Sequence, residues 1–110
     1  MVIKNITRGT IVSASAKEAK SAADRILGLL KKSNPRTLII KTRFGIHTFF
    51  LEGPIDVIIL DKNQQVVKCK QKLHPNRIFL WNPKYSIVIE MPAGSIRKAK
   101  TALGDTLILT

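Results

Sequence analysis

Ile46-His47-Thr48-Phe49-Phe50-Leu51-Glu52-Gly53-Pro54-Ile55-Asp56-Val57-Ile58-Ile59-Leu60-Asp61 is the most apolar region of this 110-residue chain, yet it carries a histidine, a threonine and two aspartates. Its second half, Ile55 to Leu60, is a branched-aliphatic run of the kind found in a central strand covered on both faces. Gly53-Pro54 breaks the chain before that run, and Asp61-Lys62-Asn63-Gln64 supplies a hairpin-like turn after it. A polar side chain buried without a partner costs roughly 1–3 kcal/mol. The polar members of the stretch are therefore either paired inside the fold or placed there to bind something.

Outward from this stretch the sequence reads as short strands. Gln65 to Lys72 is the return strand, and Arg77 to Trp81 and Tyr85 to Glu90 follow, separated by Asn82-Pro83. Thr106 to Thr110 is the last strand. Upstream, Thr37 to Lys41 and Ile46 to Leu51 are strands, and Thr10 to Ser13 belongs to an early one. Between them Ser15 and Glu18 have capping-box spacing. Ala19, Ala22, Ala23, Ile26, Leu27 and Leu30 then recur at three- and four-residue steps, which predicts a helix over Ala16 to Lys32, stopped by Pro35. Ser95 is placed to cap a short helix, Ile96 to Ala102. The expected fold is mainly β, α+β by content. It is an antiparallel β-sandwich or part-open barrel of about seven strands with one long and one short helix.

Length predicts one domain, 1–110, large enough to bury a core without metal or disulfide. Fifteen isoleucines and only 5% aromatics point to a branched-aliphatic, β-rich core. Cys69 is the sole cysteine, so no internal disulfide forms. No secretory leader opens the sequence and no apolar run approaches the roughly 18 residues of a membrane span, so the expectation is a cytoplasmic protein with no membrane partner. Nineteen basic residues against seven acidic ones give a net charge of +12. That surplus favours anionic partners, nucleic acid among them.

Two groups of residues are candidates for function. Strand alternation puts His47, Phe49 and Leu51 on one face and Asp56 with Ile58 and Leu60 on one face of the next strand. If Gly53-Pro54 closes a hairpin, Asp56 approaches His47 and orients its ring. His47, Thr48 and Asp56 would then line a polar ligand pocket, or simply lock two strands together. Catalysis ranks last, because the nucleophile or metal that would complete an acid–base device is missing. His47, His74 and Cys69 lack zinc-site spacing, and no phosphate-cradling glycine loop is present, so no metal or cofactor is expected.

The second group is Lys68, Lys70 and Lys72, which alternate along the return strand and make one basic face. Arg77 joins it, Arg36, Lys41 and Arg43 are positioned to extend it, and Trp81 or Phe79 could stack bases beside it. The competing reading is an edge strand on which lysines block sheet-to-sheet association. Glu90 interrupts an apolar strand and is either outward-facing or the partner of a buried donor. Glu90 or Asp105 would join the site only by facing His47.

Taken together, these landmarks resemble the small prokaryotic family called domain of unknown function 192. The resemblance runs from about Ala16 to the C-terminus. It is carried by Arg25-Ile26-Leu27-Gly28-Leu29-Leu30, Ile46-His47-Thr48-Phe49-Phe50, Pro54-Ile55-Asp56-Val57-Ile58-Ile59-Leu60-Asp61, Glu90-Met91-Pro92-Ala93-Gly94 and Gly104-Asp105, in that order. It implies a mainly β fold with one or two helices and no stated activity. Similar proteins usually have methionine where this chain has Leu51, and often glycine where it has Gln64-Gln65. The function expected is a non-enzymatic ligand-binding or interaction module, a monomer or weak dimer acting on an unknown small ligand or protein. The alternative is RNA or other nucleic-acid binding through the basic strand.

Overall fold

The computed structural model describes residues 1–19, 37–43, 45–49 and 51–110. Within them the strands are β1 (Ile3–Asn5), β2 (Thr10–Ser13), β3 (Lys17–Glu18), β4 (Leu38–Lys41) and β5 (Gly45–His47), then β6 (Ile55–Leu60), β7 (Val66–Leu73), β8 (Ile78–Leu80), β9 (Ile87–Pro92) and β10 (Leu107–Leu109). One short helix, α1 (Ser95–Lys98), precedes β10.

The branched run Ile55 to Leu60 does become the heart of the fold. As β6 it lies between β9 and β7 in a five-stranded sheet of order β3-β4-β9-β6-β7, and all six of its residues are buried. Alternation divides it between two cores. Ile55, Val57 and Ile59 pack with Leu38, Ile40, Val88, Phe79 and Trp81, and with Ile46 of β5. Ile58 and Leu60 pack on the other side with Ile39, Ile89, Met91, Ile3, Ile96 and Leu107. A β5–β8 ribbon therefore covers one face, and the β10-β1-β2 sheet with α1 covers the other. Each aliphatic side chain buried this way contributes about 1.5–3 kcal/mol of hydrophobic stabilisation, which is why covering both faces of β6 dominates the layout.

The architecture is mainly β and sandwich-like, with open sheets rather than a closed barrel, as the sequence predicts. Ten strands are described where about seven are expected. The extra ones, such as β1 and β3, have two or three residues, too few for alternation to show. Pairing is antiparallel except between β3 and β4.

That parallel pair corrects the predicted helix start. Lys17 N–H donates to the Thr37 carbonyl and Ala19 N–H to the Ile39 carbonyl, both at 2.9 Å. With these amides given to a neighbouring strand, Lys17 to Ala19 do not form the first turn of a helix. The rest of the predicted helix, from Lys20 to Lys32, lies outside the described residues. The short helix is also shorter than expected. It is capped by Gly94 at φ 96°, not by Ser95, whose hydroxyl donates to the Pro92 carbonyl at 2.6 Å. A left-handed φ at that position favours glycine.

Candidate functional site

Asp56 is fully buried, and each of its carboxylate oxygens is taken by backbone amides. Oδ1 accepts from Lys72 N–H at 3.0 Å, and Oδ2 accepts from Gly94 N–H at 3.1 Å and Ile96 N–H at 2.9 Å. The β6–β7 register shifts between Ile55 and Val57, and opposite this irregularity Lys72 adopts φ 52°. The bulge takes Lys72 N–H out of the ladder, and the aspartate satisfies it. The same side chain pins the loop that enters α1.

Thr48 is equally internal. Its hydroxyl donates to the His74 carbonyl at 2.7 Å and accepts from Arg77 N–H at 2.9 Å. Its own N–H reaches the Arg77 carbonyl at 2.9 Å, and its carbonyl accepts from Asn76 at 3.2 Å. Thr48 thus clamps the turn between β7 and β8.

His47 is exposed and stacks on Phe49, with ring centroids 4.9 Å apart and planes 25° apart. The structure does not bring His47, Thr48 and Asp56 into one pocket. Gly53-Pro54 closes no hairpin: β5 pairs with β8, and β6 pairs with β7 and β9. Asp56 faces the Ile58 side of the central sheet, whereas His47 lies on the outer face of the ribbon covering the opposite side.

The basic strand fares differently. An open groove of about 550 Å³ runs between β7 and β8, with Lys70, Lys72, His74 and Arg77 on its walls and Ile78 and Phe79 beside them. None of its lining residues is acidic. Lys68 ties the strands at its upper end, where Nζ donates to the Leu80 carbonyl at 2.7 Å and lies 4.8 Å from the Phe79 ring centre. Lys41 and Arg43 do not extend this face. Lys41 is on β4, separated from β7 by β9 and β6, and the Arg43 guanidinium donates to the Pro83 carbonyl. Arg36 lies outside the described residues. The two aromatics expected to stack bases are buried: Phe79 and Trp81 pack together at 6.1 Å, and Trp81 Nε1–H donates to the Tyr85 carbonyl. Phe49, which alternation puts on the His47 face, keeps its ring partly exposed and stacked on His47.

A second concavity, about 730 Å³, opens where β2 faces the loop held by Asp56. Ser13, Ser15, Thr37, Ser95, Arg97 and Lys98 line it. Asp105 does not add to a His47 site. Glu90 is buried in β9, between the registers of Leu38 and Val57. Asp105 belongs to a polar knot at the other end of the molecule. Its Oδ2 accepts from Asn5 Nδ2 at 3.0 Å, Arg8 Nε at 3.0 Å and Ala102 N–H at 2.9 Å. Burial opposes its charge, but these hydrogen bonds and the Arg8 charge outweigh burial and hold the carboxyl below the usual range. Burial, with a smaller contribution from the Asp56 charge, pushes the Cys69 thiol up. That thiol is a poor nucleophile at neutral pH. Among the described residues no three of His, Cys, Asp or Glu gather closely enough to hold a metal ion. No described helix is long and apolar enough to cross a membrane.

Fold and surface together define a small, basic, mainly β domain with a cation-lined groove. Residues 3–109 match domain of unknown function 192, described as an uncharacterized ACR, and the chain belongs to this family. A UPF0127 protein of Pyrococcus horikoshii is 32% identical over 112 residues, covering 96% of this chain and 96% of that one. A UPF0127 protein of Pyrococcus furiosus is 30% identical over 110 residues, covering 94% and 93%. A solved structure of a protein of unknown function from Novosphingobium aromaticivorans is similar with a TM-score of 0.76 at 14% identity, covering 98% of this chain and 82% of that one. At that identity the likeness shows the fold alone.

Proposed function

We propose that this chain is a non-enzymatic binding module for polyanions, nucleic acid foremost, and that the β7–β8 groove is where it binds. One observation carries the reading: Lys70, Lys72, His74 and Arg77 converge on a single open groove whose lining has no carboxylate, in a chain of net charge +12. Lysine and arginine side chains spaced along a groove neutralise backbone phosphates and release counterions, giving affinity with little sequence preference. The polar pocket anticipated around His47, Thr48 and Asp56 has no counterpart in this geometry. Two of its members, Thr48 and Asp56, support the groove instead. Thr48 fixes the turn that carries His74 and Arg77, and Asp56 fixes the bulge that carries Lys72.

The test is fluorescence anisotropy with labelled mixed-sequence 20-mers of RNA and DNA, titrated across salt. Three phosphate contacts predict a log–log salt slope of about −2 on single strands. Arg77→Ala should weaken binding and flatten that slope by about 0.7. Absence of any binding at low salt would overturn the reading.

A second reading rests on the 730 Å³ concavity, whose four hydroxyl side chains and two cations suit a small phosphorylated, hydroxyl-rich ligand. Titration with a sugar phosphate, followed by amide shifts at Ser13, Ser95 and Arg97, tests it. Unmoved amides there would remove it.

A further inference from the structure

The outer face of the β5–β8 ribbon is unusual for so basic a chain. Register pairing places His47 opposite Ile78 and Gly45 opposite Leu80, while their neighbours Ile46 and Phe79 point into the core. A Cβ on Gly45 would come within 2.6 Å of Leu80 Cδ2 and 2.8 Å of the Phe79 carbonyl, so glycine lets the ribbon close tightly beneath Leu80. The result is a patch of large side chains open to solvent: Ile78 is 63% exposed, Leu80 62% and Phe49 39%, with the His47 ring stacked on Phe49. Contiguous exposed apolar surface of this kind marks a binding face. Ile78 belongs to both features, because it stands opposite His47 in the ribbon and also lines the basic groove.

We propose that the His47–Phe49 pair, with Ile78 and Leu80, is a nucleobase platform, and that the ligand of the adjoining groove is single-stranded nucleic acid. This rests on the polyanion reading above and specifies it. Charge complementarity selects the occupant. Ile78 joins the platform to the groove walled by Lys70, Lys72 and Arg77, so a partner covering both must present apolar, flat surface and negative charge within one short span. A single strand does so at every nucleotide: phosphates lie along the cations while unstacked bases lie on rings and aliphatic side chains. A duplex keeps its bases stacked on each other and would press phosphates against Ile78 and Phe49. A purely acidic peptide offers the charge without the flat apolar faces.

The experiment uses the full chain with a fluorescein-labelled mixed 20-mer as a single strand and as its duplex, at one salt concentration and then across salt. A 2-aminopurine-substituted single strand provides a separate stacking signal. The single strand should bind at least tenfold more tightly than the duplex, with 2-aminopurine fluorescence quenched on binding. Phe49→Ala should lower single-strand affinity about tenfold, which is within the range of one lost base–aromatic stack, with duplex affinity and the salt slope unchanged. Phe49→Trp should retain binding. Arg77→Ala should flatten the slope instead. Because Phe49 is partly exposed, circular dichroism can confirm that both variants fold.

Equal affinity for strand and duplex with Phe49→Ala silent would overturn the platform and leave the polyanion reading standing. Loss of all binding to both forms at low salt would overturn both. Concentration-dependent dimerisation abolished by Phe49→Ala, with nucleic-acid binding untouched, would assign the patch to a second copy of the chain and refute the proposal.

Discussion

Replacing Asp56 by asparagine tests the central structural claim, that this carboxylate serves the backbone. The three amides it holds lie at 2.9–3.1 Å, and a hydrogen bond to a charged group contributes about 1.5–3 kcal/mol. Asparagine can keep its single carbonyl oxygen toward Gly94 and Ile96, but as a weaker, neutral acceptor. Its amide nitrogen then faces Lys72 N–H, donor against donor. One bond lost outright and two weakened give a destabilisation of about 3 kcal/mol. Asp56→Ala, which removes all three, should cost about 4–6 kcal/mol on the same reasoning. At about 4–8 °C per kcal/mol for small domains, the asparagine variant should melt roughly 12–24 °C below the parent. Urea denaturation followed by circular dichroism reads the free energy, and a thermal scan reads the shift. The folded variant should still bind the 20-mer. A variant within about 0.5 kcal/mol of the parent, with binding lost, would refute the structural role and restore a ligand-contacting one.

Thr48→Val keeps the shape but removes a hydroxyl that both donates and accepts, so it should cost about 1–3 kcal/mol, with hydrogen exchange rising first at Asn76 and Arg77; protection unchanged there would contradict the clamp. Asp105 is held charged more readily in the fold than in the unfolded chain. Its contribution is therefore present above the unfolded carboxylate value near 3.9 and lost as pH falls through the lower folded value. The stability gap between parent and Asp105→Asn should shrink on acidification below about pH 5, and urea melts across pH would show it. Gln64 sits at φ 63° in the β6–β7 turn, where a side chain is strained, so Gln64→Gly should raise stability by up to about 1 kcal/mol; a loss would mean the side chain compensates. The Cys69 thiol should label more slowly than a free thiol at pH 7.5 and accelerate only at higher pH, as a maleimide time course would reveal.

The sequence makes the central strand legible because six consecutive apolar-dominated residues between Pro54 and Asp61 leave little alternative. The β6–β7 turn is legible for a similar reason: Asp61 Oδ1 accepts from Asn63 and Gln65 amides at 2.8 and 2.9 Å, a local device that needs no tertiary context. What fails is pairing at long range. Gly53-Pro54 suggests a hairpin, but β5 finds Ile78–Leu80 more than thirty positions away, and nothing between the two strands announces it. The apparent capping box at Ser15 fails because Lys17 and Ala19 give their amides to the Thr37 and Ile39 carbonyls, so this segment runs as a strand. Thr48 and Asp56 are paired, as buried polar groups must be, but their partners are backbone amides and, for Thr48, a backbone carbonyl as well. Composition and periodicity cannot reveal a backbone partner. The basic face was readable from alternation alone; the wall that turns it into a groove came from β8.

The first strand lies between β2 and β10, and Thr110 N–H reaches the Val2 carbonyl at 2.9 Å. One edge of β1 therefore stays open until Leu107–Leu109 arrives, about a hundred positions later in synthesis. Contacts of such separation are slow to form, and an unpaired strand edge invites association with other chains. Truncating the last few residues should therefore do more than shorten the molecule: it would expose a sticky seam while leaving the central sheet intact, turning a folding unit into a nucleus for aggregation.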